Sequence, residues 1–206
     1  MTTVVALQAA AAAVLCGAVA WWGSVLGARL ARAQPPLDDA PPPVRYRQWP
    51  FVVLGSIVGA ASAHDVATPE VLLIAVVIGL LAACAAADLR CGIIPDRCSL
   101  GVLALVLIVS GFRHDWYPGI GAAVLAVAFA CTALISRGRG MGWGDVKLAA
   151  AGGALLGPAD AALAFAAAAM LAYALALRAG RASQPIAFGP YLAASTAIAL
   201  AFQRPV

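Results

Sequence analysis

Apolar runs separated by short polar clusters fill this chain almost from end to end, and that alternation decides what it can fold into. A soluble domain carries about 45–50% apolar and about 25% charged residues. Here 64% of 206 residues are hydrophobic, 11% are charged, and mean hydropathy is +0.95. A soluble fold of this size could not hide so much apolar surface, so lipid must be the solvent for most of it. One membrane span needs about 20 apolar residues, and eight would use roughly 160. The fold class expected is all-α: a polytopic transmembrane bundle of about eight spans with short loops and no sizeable soluble domain.

The runs fall at residues 3–28, 49–63, 71–87, 98–112, 119–136, 148–156, 161–177 and 186–202. The sixth is short and is expected to begin inside the Gly-rich segment before it. No basic region precedes the first run, which therefore reads as a retained span rather than a cleaved signal. Residues 29–48 carry Pro35, Pro36, Pro41, Pro42 and Pro43, too many prolines for a helix in lipid, and form a linker. The whole chain, 1–206, reads as a single membrane-embedded domain. Within it, two N-terminal spans (1–70) precede a six-span core (71–206).

Basic residues set the orientation. With alternating spans, Arg29, Arg32, Arg45, Arg47, Arg90, Arg97, Arg137, Arg139, Lys147, Arg178 and Arg181 fall on one side. Only Arg113 and Arg204 fall on the other, eleven against two of the 13 basic residues. The crowded side is cytoplasmic by the positive-inside rule, which places both termini outside. This asymmetry accounts for the net charge of +4 and the pI near 9.0 without a nucleic-acid partner. The five cysteines form no CxxC pair, and four lie in or beside apolar runs, so neither a disulfide framework nor a metal site is expected.

Of nine acidic residues, Asp38 and Asp39 lie in the linker, and Asp65, Glu70, Asp115 and Asp160 in outer turns. Asp88, Asp96 and Asp145 remain, at cytoplasmic ends of spans. Carboxylates so placed are costly to bury and mark function. Two of them in a partly dry site share one proton and titrate as a unit. Such a pair hydrolyses a peptide without a metal: one carboxylate draws a proton from water while the other protonates the carbonyl. The plainer alternative is that an Asp at a span end caps a helix. Asp96, following Pro95 and preceding a span, is assigned to capping. Asp88 sits at the C-terminal end of a helix, the wrong end for an anion, and needs compensation such as Arg90, or a chemical task. Gly138, Gly140, Gly142 and Gly144 leave the backbone before and around Asp145 free for positive φ and close approach. The two histidines, His64 and His114, lie in outer turns and supply a Ser–His protease or a metal site poorly.

Three segments together resemble the type IV prepilin peptidases, the GxGD-type intramembrane aspartyl proteases. ADLRCGIIPD (87–96) resembles their first aspartate motif, GWGDVK (142–147) their second, and PIAFGPYLA (185–193) a Pro-x-x-Phe-Gly-Pro stretch near the end of the family. The resemblance implies an endopeptidase that clips short basic leaders from prepilin or pseudopilin precursors at the cytoplasmic face of the bacterial inner membrane. By matching position, Asp88 and Asp145 would be the catalytic pair. Gly142, Gly144, Lys147, Asp96, Pro95, Phe188, Gly189 and Pro190 would support them or the substrate. No cofactor is implied. Larger members that also N-methylate carry a two-CxxC domain between the first two spans. Residues 29–48 contain no cysteine, so the likeness is to short forms with peptidase activity alone. A reading of another class, a non-enzymatic transporter or pilus-assembly component using the acids for ions or packing, stands beside it.

Overall fold

The computed structural model describes residues 3–33, 46–63, 68–136, 141–180 and 186–202. Most of the Pro-rich linker, His64, Gly138, Gly140, Pro185 and Arg204 lie outside the described residues. Among the described residues there are eight α-helices and no strand. They are α1 (Thr3–Arg32), α2 (Trp49–Ser62), α3 (Thr68–Cys91), α4 (Asp96–Phe112), α5 (Tyr117–Ile135), α6 (Trp143–Leu156), α7 (Pro158–Arg178) and α8 (Gly189–Phe202).

The helices track the apolar runs, with shifted ends. α3 continues through Asp88 to Cys91, four residues beyond the expected boundary, because no breaker intervenes before Gly92. Gly92 then takes φ 66°, the left-handed cap that glycine adopts at least cost, and its amide donates to the Asp88 carbonyl at 2.9 Å. α6 does begin in the Gly-rich segment, at Trp143, and Gly157 with Pro158 turns the chain from α6 into α7. Among the described residues, four helices are long and apolar enough to cross a membrane: α1, α3, α5 and α7. α2, α6 and α8 each have 14 residues. At 1.5 Å per residue these reach about 21 Å, short of a hydrocarbon core of about 30 Å.

α3 is central. The most apolar stretch of α3 is 61% buried, against 22% for those of α1 and α5. It packs on α1, α2, α4 and α8, while α6 packs on α4, α5, α7 and α8. Lipid tails offer no hydrophobic drive between helices, so close backbone approach through small residues must hold them. Gly23 and Gly27 of α1 lie directly on the Gly79 and Ala83 carbonyls of α3, and Gly121 of α5 lies on Gly153 of α6. A Cβ at any of these glycines would overlap main-chain atoms that cannot step aside. Ala149 and Ala151 of α6 are fully buried, as is Leu148, so α6 is covered on every side and cannot slide without displacing four neighbours.

Gly23→Leu is expected to weaken the bundle by at least about 1–3 kcal/mol, the usual cost of overpacking. Gly111→Ala, where a Cβ meets nothing within 4 Å, should be neutral or slightly stabilising. Equilibrium unfolding in mixed detergent micelles measures both.

Candidate active site

Four chain segments that are distant in sequence meet at one end of the bundle: the end of α3, the turn into α4, and the starts of α6 and α8. Asp88 occupies the last turn of α3 and is 6% exposed. Its misplacement at a helix C-terminus is offset from outside the helix. Asp88 Oδ2 accepts the N–H of Gly189, the first residue of α8, at 2.9 Å. The amides at a helix start have no partners within the helix and carry its positive pole, so an anion belongs there. Arg90, the compensation anticipated from sequence, is instead stacked over the Tyr46 ring at 5.4 Å.

Asp145 is the third residue of α6, and its Oδ2 accepts the Gly142 N–H at 3.1 Å. This is one arm of a capping box, with glycine at the N-cap leaving no side chain for the other arm. Each therefore sits at the N-terminus of a helix: Asp145 on its own, Asp88 on a neighbour's.

Asp96 departs from the expectation. It does not cap α4: Pro95, in extended conformation, occupies the N-cap, and Asp96 is the first helical residue. Proline suits that cap because its carbonyl accepts the Cys98 and Ser99 amides while its absent N–H removes a donor. The Asp96 carboxylate turns to Lys147, with Oδ1 2.6 Å from Nζ, and ties the start of α4 to α6. The glycines of the second motif also behave differently. Gly142 is extended at φ −82°, and Gly144 is not in the left-handed region. Gly144 is needed for proximity instead, since a Cβ there would come within 3.0 Å of the Ile94 Cβ.

Ile94 was not singled out by sequence reasoning, yet it joins all three motif segments. It is 5% exposed, touches Gly144 on α6, and its Cδ1 would stand 3.0 Å from a Cβ at Gly189 on α8. Its position between Ile93 and Pro95 was the available signal, because an apolar residue held by proline in a loop reads as a wedge. Phe188 packs on the core, and its carbonyl accepts the Tyr191 and Leu192 amides, making it the cap of α8. Pro190, in the first turn of α8, lacks only an N–H that would have had no partner in the helix. Among the described residues no three His, Cys, Asp or Glu side chains gather as a metal site would require.

Among the described residues the fold is an all-helical bundle with four candidate spans, carrying two aspartates held by helix-start amides at one end. The chain belongs to the type IV leader peptidase family, whose family model matches residues 75–177, from α3 to α7. Comparison with curated proteins and with solved structures gives no match. The matched region contains Asp88, Asp96 and Asp145, and Gly189 lies beyond it.

Gly189→Val should cost more stability than Gly142→Ala. A Cβ at 189 would press on Asp88 Oδ2 at 2.9 Å, whereas one at 142 meets Asp145 Oδ2 at an ordinary 3.6 Å. Removing the Lys147–Asp96 pair by Lys147→Ala should change stability by less than about 1 kcal/mol, because the pair is solvent-accessible. Thermal melts in detergent compare all three variants.

Proposed function

We propose that this protein is an aspartyl endopeptidase that removes short basic leader peptides from pilin-like precursors at the cytoplasmic face of the bacterial inner membrane, with Asp88 and Asp145 as its catalytic pair. The observation that supports the reading is that two aspartates 57 residues apart in sequence come to the same end of the bundle, each carboxylate fixed by one backbone amide. Fixed orientation matters because a misplaced acid or base loses most of its catalytic value. The eight helices then alternate in direction with both termini outside, the short ones reaching only part of the way through the bilayer, and the ends bearing Asp88, Asp96, Lys147 and Gly189 face the cytoplasm. The six-helix portion 71–206 forms the catalytic core. Supporting this orientation, Arg90, Arg97 and Lys147 all fall at that end.

The chemistry needs one proton shared by the pair. The ionised carboxylate takes a proton from a water molecule as the water oxygen bonds to the peptide carbonyl carbon. The protonated partner gives its proton to the carbonyl oxygen, producing a tetrahedral diol. The diol collapses when the C–N bond breaks: the leaving nitrogen takes a proton from the acid just formed, while the partner carboxylate takes one from a diol hydroxyl as the C=O re-forms, so the pair again holds one proton. Burial of Asp88 keeps bulk water from competing for these protons. The Asp96–Lys147 pair and the Ile94 wedge hold α4, α6 and α8 in the arrangement that brings the two acids together.

Asp88→Asn and Asp145→Asn should each slow processing of a precursor whose basic leader ends in glycine by at least about a hundredfold, the usual contribution of acid–base catalysis. Cleavage by both variants at the normal rate would refute the assignment. Where chemistry limits the rate, the pH profile should be bell-shaped, with two apparent values that belong to the pair. Gel-based processing assays in detergent or vesicles read both.

A further inference from the structure

Three helices of this bundle stop early, and a cavity of about 710 Å³ lies where they stop. Ser62, Leu156 and Phe202 are the last residues of α2, α6 and α8, and all three line it. Helices of that length reach about 21 Å, so about 9 Å of a hydrocarbon core of about 30 Å lies beyond their ends. Residues of α3 and α4 wall the gap from the side. On α3 the wall residue nearest to Asp88 is Val77, eleven residues and roughly 16 Å away, so the cavity is separate from the aspartate pair and the proteolytic reading does not use it.

The depth is apolar, formed by Leu73, Val77, Val106, Leu155 and Leu200. The charged groups in its lining are already engaged. Arg113 pairs with Glu70 at 2.6 Å. Asp115 accepts the Tyr117 N–H on Oδ1 at 2.9 Å, and its carbonyl accepts the Ser110 hydroxyl. Asp160 has a partner as well. The lining therefore offers nothing that selects a charged ligand. Ser62 differs from all of these. It is 8% exposed, it lines the cavity, and its hydroxyl has no hydrogen-bond partner among the described residues. Buried hydroxyls are normally satisfied, and in a helix the carbonyl four residues earlier is the ready acceptor. The open valence is thus one neutral donor beside an apolar space at hydrocarbon depth.

We propose that this cavity holds one acyl chain of a glycerophospholipid, with the Ser62 hydroxyl donating to the ester carbonyl of that chain, whatever headgroup the lipid carries. The chain fills the apolar depth that the short helices leave open, and a volume of this size falls within the roughly 300–1,000 Å³ of small-molecule sites. The ester carbonyl is an uncharged acceptor, which is what a lone hydroxyl requires. Water is a poor occupant, because a buried water needs two to four polar partners and the depth supplies none. A free fatty acid would bring a carboxylate to a site whose guanidinium is already paired. The surrounding bilayer supplies diacyl lipid at high local concentration, and taking up a chain is one way a membrane adapts to spans shorter than its own thickness.

The test is native mass spectrometry of the full chain in detergent, after incubation with equal amounts of four lipids: dioleoyl-phosphatidylcholine, its dialkyl-ether analogue, dioleoyl-phosphatidylethanolamine and dioleoyl-phosphatidylglycerol. The three ester lipids should be retained alike. The ester phosphatidylcholine should be retained about fivefold over its ether analogue, the ratio one neutral hydrogen bond provides. Ser62→Ala should erase that ester preference and leave retention of the ether lipid as it was. Val106→Trp, which fills the depth, should reduce retained lipid of every kind. If Val106→Trp fails to fold, the small change at Ser62 decides alone. The proposal is overturned by equal retention of ester and ether lipid in the native chain, by an ester preference that survives Ser62→Ala, by retention that follows the headgroup, or by a folded Val106→Trp that keeps its lipid.

Discussion

The arrangement depends on how a carboxylate is held where a helix ends. Asp88 lies in the last turn of α3, where unpaired carbonyls make the local field negative. Left alone and buried, such an anion would be strongly unfavourable. The amide of Gly189 meets it with the positive end of another helix. For that contact to exist, α8 must start at Gly189 and must start against α3. Phe188 as the cap, Pro190 in the first turn, and Gly189 without a side chain each serve that requirement. The Phe188-Gly189-Pro190 stretch thus has a local physical explanation in this chain, independent of any substrate.

Close packing carries the same logic through the bundle. Gly144 lets Ile94 approach α6, Gly23 and Gly27 let α1 rest on α3, and Gly121 lets α5 rest on α6. In lipid, such contacts are where association energy comes from, since burial of apolar area gains little between helices already solvated by hydrocarbon. The short helix α6 illustrates the result. From Leu148 to Ala154 every residue is buried, and the helix carries Asp145 in its first turn. The helix that presents the second aspartate is therefore among the most confined in the molecule.

Much of this was legible in the sequence. The apolar runs located all eight helices, because in a chain so hydrophobic the polar clusters are the only punctuation. The three motif segments identified the residues that meet. What the sequence left hidden was pairing across space. Asp96 read as a cap because it follows proline at a helix start, yet Pro95 takes the cap and Asp96 finds Lys147, 51 residues away. Gly142 and Gly144 read as flexible, yet their backbones are ordinary, and the need at 144 is room for Ile94. The compensation for Asp88 was sought in the neighbouring Arg90 and lay 101 residues away in a main-chain amide. Local rules report helix starts and stops; they carry no information on which start abuts which stop.

The donors to both aspartates belong to the polypeptide backbone. An ordinary point mutation cannot delete a main-chain amide; only proline at 142 or 189 removes it. The orientation of each acid is thereby insulated from most genetic drift, and surrounding side chains are free to vary for substrate preference or membrane thickness. The vulnerability shifts to geometry: anything that tilts α8 away from α3 would release Asp88 even with every residue of the centre intact.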